Sequence, residues 1–287
     1  MTTMRESFTE MDLAGGGKYV MKKLPEVTLI FWVMKTAATT LGETAGDLFA
    51  QTLKLGYALT TIFLLILFVV TLVIQLRSRR YNPFFYWTVI LSTSMAGTTM
   101  SDFMNRDVSD LAPGESSLGW GPQGLGVGYP AGAAILTTLL IGVFIVWRFS
   151  GLTFSISKIN TLRGETLFWT AILISNTLGT SMGDFLADSS GLGYAGGALL
   201  IIALLALIAA GMRVSWISNV ALFWFAFVLT RPLGATVGDF LTKPVAKGGL
   251  NLGTYGASAV LLVFLFGMIA YAAVQENRKR VPVAVTA

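Results

Sequence analysis

Two kinds of apolar segment alternate along the chain. One is almost uninterrupted, as from Leu59 to Leu76, around Ala134 to Trp147, from Ala198 to Gly211 and from Ala257 to Val274. The other is punctuated by hydroxyls, glycines and single charges at helical intervals. A membrane-crossing helix needs roughly 20 predominantly apolar residues. The pattern predicts an all-α membrane protein of about eight transmembrane helices, each polar-marked odd helix being followed by a more uniformly apolar even helix.

The odd helices are copies of one another. FWVMKTAATTLGETAGDLF from Phe31, YWTVILSTSMAGTTMSDF from Tyr86, FWTAILISNTLGTSMGDF from Phe168 and FWFAFVLTRPLGATVGDF from Phe223 align without a gap. Each opens on an aromatic–Trp pair and reaches an aspartate 15 residues after the Trp: Trp32 and Asp47, Trp87 and Asp102, Trp169 and Asp184, Trp224 and Asp239. A Gly and a Tyr then begin each even helix: Gly56-Tyr57, Gly128-Tyr129, Gly193-Tyr194, and Gly253 with Tyr255. Asp47 to Asp102 and Asp184 to Asp239 are both 55 residues, whereas Asp102 to Asp184 is 82. Four parallel two-helix repeats in two pseudo-symmetric halves follow. The expected organisation is an N-terminal tail over 1–26, a first half over 27–148, a linker over 149–164, a second half over 165–276 and a C-terminal tail over 277–287.

At 100° per residue, positions 3, 4, 7, 8 and 11 before the Asp fall on its side of the helix. In the first copy these are Thr44, Glu43, Thr40, Thr39 and Thr36; the third offers Ser181, Thr180, Thr177 and Asn176. A hydroxyl stands three residues before every Asp (Thr44, Thr99, Ser181, Thr236), where it can hydrogen-bond the carboxylate. One and five positions before the Asp are small residues: Gly42 and Gly46, Gly97 and Ser101, Gly179 and Gly183, Gly234 and Gly238. Small residues four apart let helix backbones approach closely in lipid. The odd helices are therefore expected to pack centrally, with the even helices facing lipid.

Charges at membrane depth are costly unless paired or hydrated, so Lys35, Glu43, Asp47, Asp102, Asp184, Arg231 and Asp239 are expected to face the interior. Two readings of the repeated aspartates stay open. They cap the next helix or hold its turn, or they line a cation or proton path with the hydroxyls. Glu43, Lys35, Arg231 and Asn176 each occur in one copy only and mark specialised positions; Pro232 predicts a kink. Glu43, Asp47 and Asp184 are candidate metal ligands, with Asn176 completing the site. Asp102, Asp239 and Arg231 are candidates for gate or counter-charge, as is Lys35. The four tryptophans read as interface anchors.

Composition narrows the chemistry. With 54% hydrophobic and 12% charged residues, too little charge is present to cover a soluble domain. There is no cysteine and no histidine, which removes thiolate and imidazole ligands and the usual nucleophile–base pairs. No enzymatic role and no resident cofactor are expected. A bound metal would need oxygen ligands, which favours magnesium, calcium or manganese, and a proton or divalent cation would be cargo.

The net charge of +5 is a matter of loops, not of a nucleic-acid partner. Arg5, Lys18, Lys22, Lys23, Arg77, Arg79, Arg80, Arg148, Lys158, Arg163, Arg213, Arg278, Lys279 and Arg280 lie in the tails and in the loops after even helices. Only Lys54, Arg106, Lys243 and Lys247 follow odd helices. The bias places both termini in the cytoplasm. The first residues hold no apolar core before Val27 and read as a cytoplasmic tail, disordered or with a short amphipathic helix, not as a signal peptide.

The four Trp-containing two-helix units, over roughly Val27 to Ala272, resemble a bacterial multi-pass membrane family defined by this tandem repeat and catalogued as a domain of unknown function. The resemblance implies a bacterial inner-membrane location and brings no activity. Glu43-Thr-Ala-Gly-Asp47 is loosely similar to the Glu-x-Gly-Asp signature of some cation/proton exchangers, with the spacing changed by one and the following basic residue missing. The expected function is secondary transport of a cation, with proton-coupled export of a divalent metal as one form. A four-repeat cation channel and a non-transporting scaffold subunit are the alternatives. The expected partners are the lipid bilayer, a small cation or solute, and further copies of the chain.

Overall fold

The structure, a computed structural model, describes residues 24–78, 80–107, 124–155, 159, 161–214 and 218–280. Of the tails expected over 1–26 and 277–287, residues 1–23 and 281–287 lie outside the described residues. Eight α-helices and no strand occur among those described: α1 Leu29–Asp47, α2 Tyr57–Arg77, α3 Pro83–Asn105, α4 Tyr129–Phe149, α5 Leu162–Asp184, α6 Gly193–Gly211, α7 Asn219–Thr242 and α8 Gly253–Arg280. The repeat dictates how they start. Each odd helix has a polar cap whose side chain accepts a backbone N–H: Thr28 from Phe31, Asn82 from Phe84, Thr161 from Gly164 and Ser218 from Ala221. Such a cap satisfies an orphan donor of the first turn. Each even helix instead starts at a glycine with positive φ, from 66° to 80° at Gly56, Gly128, Gly193 and Gly253, a conformation a side chain would strain.

The odd helices close into a ring. α1 packs on α3 and α7, and α5 packs on the same two. Around this ring α2 lies against α3, α4 against α5, α6 against α7, and α8 against α1. Each even helix thus covers the odd helix of the following repeat instead of its own, and α8 returns to the first repeat. This differs from the packed hairpin that sequence adjacency suggests. An odd helix has both flanks occupied by ring neighbours, so its outward side is the one left to cover, and the preceding repeat's apolar helix covers it.

Helices α2, α4, α6, α7 and α8 are long and apolar enough to cross a membrane. α1, α3 and α5 are of similar length, 19, 23 and 23 residues, but their polar residues dilute them. Most of their hydroxyls and charges are buried in the ring, while α2, α4, α6 and α8 leave most of their apolar surface outward. This is an all-α membrane protein. α7 runs through Pro232 as one helix.

Candidate functional site

One packing rule, applied four times, builds the centre. The glycine five residues before each Asp receives the residue eight before the Asp of the next repeat: Gly42 receives Ser94, Gly97 receives Asn176, Gly179 receives Arg231 and Gly234 receives Thr39. A methyl at Gly97 would stand 2.8 Å from Asn176 Cβ. The small residue just before the Asp does the same one turn on: Gly46 meets Thr98, Gly183 meets Ala235 and Gly238 meets Glu43. The row that continues through the Asp therefore runs along the middle of the ring. Its layers are Thr39, Ser94, Asn176 and Arg231; then Glu43, Thr98, Thr180 and Ala235; then the four aspartates. All twelve are buried.

Arg231 fills the middle. Its guanidinium donates to the carbonyls of Thr39 (3.0 Å) and Ser94 (3.1 Å), to Thr180 Oγ1 (2.8 Å) and to Thr98 Oγ1. It lies 3.2 Å from Glu43 Oε2. Glu43 Oε2 also accepts from Thr98 at 3.1 Å and Thr180 at 3.3 Å. Every repeat contributes a partner to this knot, which ties Glu43 of the first half to Arg231 of the second.

One turn further lie the aspartates, at what we call the Asp end. Asp102 pairs with Arg106 at 2.9 Å. Lys243 Nζ stands between Asp47 (3.1 Å) and Asp239 (3.2 Å). Burial alone would lower the Lys243 pKa, but the two carboxylates hold it well above the ordinary lysine value. Carboxylate oxygens of Glu43, Asp47 and Asp239 lie within 4.8 Å of one another. Asp47 Oδ1, Asp102 Oδ2 and Asp184 Oδ2 are buried without a hydrogen-bond partner.

The opposite end, the Trp end, obeys its own ring rule. The aromatic preceding each Trp packs on the Trp of the next repeat: Phe31 on Trp87 (centroids 5.6 Å apart), Tyr86 on Trp169 (5.7 Å), Phe168 on Trp224 (6.0 Å) and Phe223 on Trp32 (5.5 Å). Between this belt and the central knot lie Lys35, Ile90, Ile172 and Phe227, all buried. Lys35 Nζ has no hydrogen-bond partner and sits 4.3 Å from the Phe227 ring centre.

The geometry is one repeated unit, and the same four units are found by comparison with known families. The repeat described as Repeat of Unknown Function (DUF347) matches at residues 30–81, 85–153, 167–215 and 222–278. The chain belongs to the DUF347 family. No curated protein and no solved structure matches it.

The DUF347 repeats sort the expected site residues differently from the helical wheel. Thr44, Thr99, Ser181 and Thr236 do not hold the aspartates. Each gives its proton to a carbonyl of its own helix, a local acceptor that competes well with a side chain. Thr40 and Thr177 do likewise. The axial row is the one at four-residue steps from the Asp, so Thr39, Thr98 and Thr180 take the places expected for those hydroxyls.

Asp184 is outside the Glu43–Asp47–Asp239 cluster, and Asp239 takes its place. Asn176, whose Nδ2 lies 3.5 Å from Ser94 Oγ, is eight residues from Asp184, about 12 Å along a helix, so the two do not share a site. Of the two basic residues expected as counter-charges, Arg231 pairs with Glu43, while Lys35 Nζ has no hydrogen-bond partner. Asp47 and Asp184 make no side-chain cap. Three of the four tryptophans do not have the exposed setting of an interface anchor; Trp32 is half-buried. Trp87, Trp169 and Trp224 are buried in the belt, because aromatic partners from the preceding DUF347 repeat cover their rings. Lys243 was not singled out by sequence; its signal is the basic residue four after the Asp, shared with Arg106.

Proposed function

We propose that this DUF347 protein is a secondary transporter of the bacterial cytoplasmic membrane, exchanging a small cation against protons, with a divalent metal ion as the favoured cargo. The observation that carries the reading is the Glu43–Asp47–Asp239 cluster. It joins the two halves at the axis, where a scaffold would be filled with apolar side chains. Charge counting supports the cargo. The three layers from Arg231 to the aspartates hold five buried carboxylates, Glu43, Asp47, Asp102, Asp184 and Asp239, against three cations, Arg231, Arg106 and Lys243, with the buried Lys35 one layer nearer the Trp end. In those layers the carboxylates outnumber the cations by two, an excess that bound protons or metal ions would offset.

The alternating requirement of a transporter, a site shut off from at least one side, fits the aromatic belt at the Trp end. A four-repeat channel fits less well, since the Arg231 side chain bridges all four odd helices across the axis. All eight helices cross the bilayer in this reading. The basic tails and loops put both termini in the cytoplasm, so the Asp end faces outward. No catalysis is assigned. Cells expressing Glu43→Gln or Asp47→Asn should differ in cation sensitivity and in cation uptake from cells with the unaltered protein. Unchanged sensitivity at equal abundance refutes the proposal, and effects on abundance alone favour the scaffold.

A further inference from the structure

The second and fourth repeats carry a basic residue four positions after the Asp, and they use it differently. Arg106 stays with its own helix, bonded to Asp102 at 2.9 Å, its guanidinium 5.7 Å from the Tyr57 ring centre. Lys243 reaches to the other half, touching Asp47 and Asp239, two of the three carboxylates that converge on one point. An ammonium is a compact point charge, whereas a guanidinium is a planar fork, so Lys243 presents to these oxygens what a free cation would. Coordinating capacity is left over, because Asp47 Oδ1 is buried and accepts no hydrogen bond.

The backbone behind Lys243 is fixed. Its carbonyl accepts from Asn251 N at 2.9 Å, and Gly249 packs so closely on that carbonyl that a side chain there would collide with it. Only the side chain has freedom. It is 18% exposed, where the Asp47 and Asp239 side chains are 3% and 5%, so its way out leads to the Asp-end surface.

We propose that Lys243 is a tethered cation that holds the cation site of the empty protein, and that a cation arriving from the Asp end must displace it. The inference rests on the cation-exchange reading. No bond is made or broken: the ammonium swings out into water, and the incoming ion takes Asp47, Asp239 and Glu43. The affinity measured is then the intrinsic affinity reduced by the fraction of molecules in which the site stands free. Removing the ammonium should raise it. If Lys243 holds the site in nine molecules of ten, the gain is about tenfold.

The chain has no cysteine, so Lys243→Cys carries a single addressable thiol. Mn²⁺ binding to the full-length protein in detergent, read from the free-ion electron paramagnetic resonance signal, tests the idea. Lys243→Cys and Lys243→Met, both checked for folding by gel filtration, should bind Mn²⁺ about tenfold tighter than the unaltered protein. Aminoethyl methanethiosulfonate, which puts an ammonium back on Lys243→Cys, should restore the weaker binding. Methyl methanethiosulfonate, which adds no charge, should not. Variants that bind no tighter, or equal effects of the two reagents, overturn the inference while leaving the transport reading in place. Absence of Mn²⁺ binding to every form, the unaltered protein included, overturns both.

Discussion

Arg231 and Glu43 form the pair on which the centre of the bundle depends, and replacing them singly and together measures it. Glu43→Met leaves Arg231 its two carbonyls and two threonine hydroxyls, but its charge loses the only carboxylate within ion-pair distance among the described residues. Arg231→Met leaves Glu43 with the Thr98 and Thr180 hydroxyls alone. Stranding one partner of a buried ion pair costs about 3–5 kcal/mol. Independent effects would therefore put the double variant at roughly 6–10 kcal/mol. If the two charges exist to neutralise each other, removing both strands neither, and the double variant should lose about 3 kcal/mol or less. Thr98 keeps a local acceptor at the Ser94 carbonyl, 3.2 Å away. The assay is unfolding of the purified protein in mixed micelles by sodium dodecyl sulfate titration, followed by tryptophan fluorescence. A double variant equal to the sum of the singles within about 0.5 kcal/mol refutes the coupling and with it the central knot.

Three further outcomes are expected. Gly179→Ala and Gly234→Ala, whose new methyls would run into Arg231 and Thr39, should each cost about 1–3 kcal/mol by overpacking in the same titration. Gly256→Ala and Gly267→Ala, with nothing within 4 Å, should cost nothing. Trp169→Ala should destabilise by about 3–5 kcal/mol, and the buried tryptophans should resist quenching by doxyl-labelled lipids; strong quenching would restore the interface-anchor reading. Single cysteines at Lys54 and Lys247 should react with an impermeant maleimide on intact spheroplasts, while cysteines at Arg80 and Arg213 should react only after lysis, and the reverse pattern would invert the topology.

Much of the fold was legible because lipid makes strong demands on sequence. The spacing from Trp to Asp and the glycine at the start of each even helix recur four times, and each appears in the structure as a local device. Periodicity describes one helix, however, and says little about which helix lies beside it. That α2 covers α3, and that Phe31 packs on Trp87 and not on lipid, are relations between repeats. So is the seat of Arg231 against Gly179. The helical wheel allowed both Thr44 and Glu43 beside Asp47; the glycines choose between them, since Gly238 receives Glu43 while Thr44 turns to Ser258 on α8. The role of Lys243 is not legible in the sequence, because it lies just beyond α7 and acts on a residue 196 positions away.

The most direct test of the central claim is cation-dependent proton movement through the purified protein in proteoliposomes loaded with pyranine. With a pH gradient imposed, adding Mn²⁺ should collapse the gradient when the unaltered protein is present and leave it intact with Glu43→Gln. A gradient indifferent to Mn²⁺, Mg²⁺ and Ca²⁺, or one that collapses equally in the variant, would contradict the account.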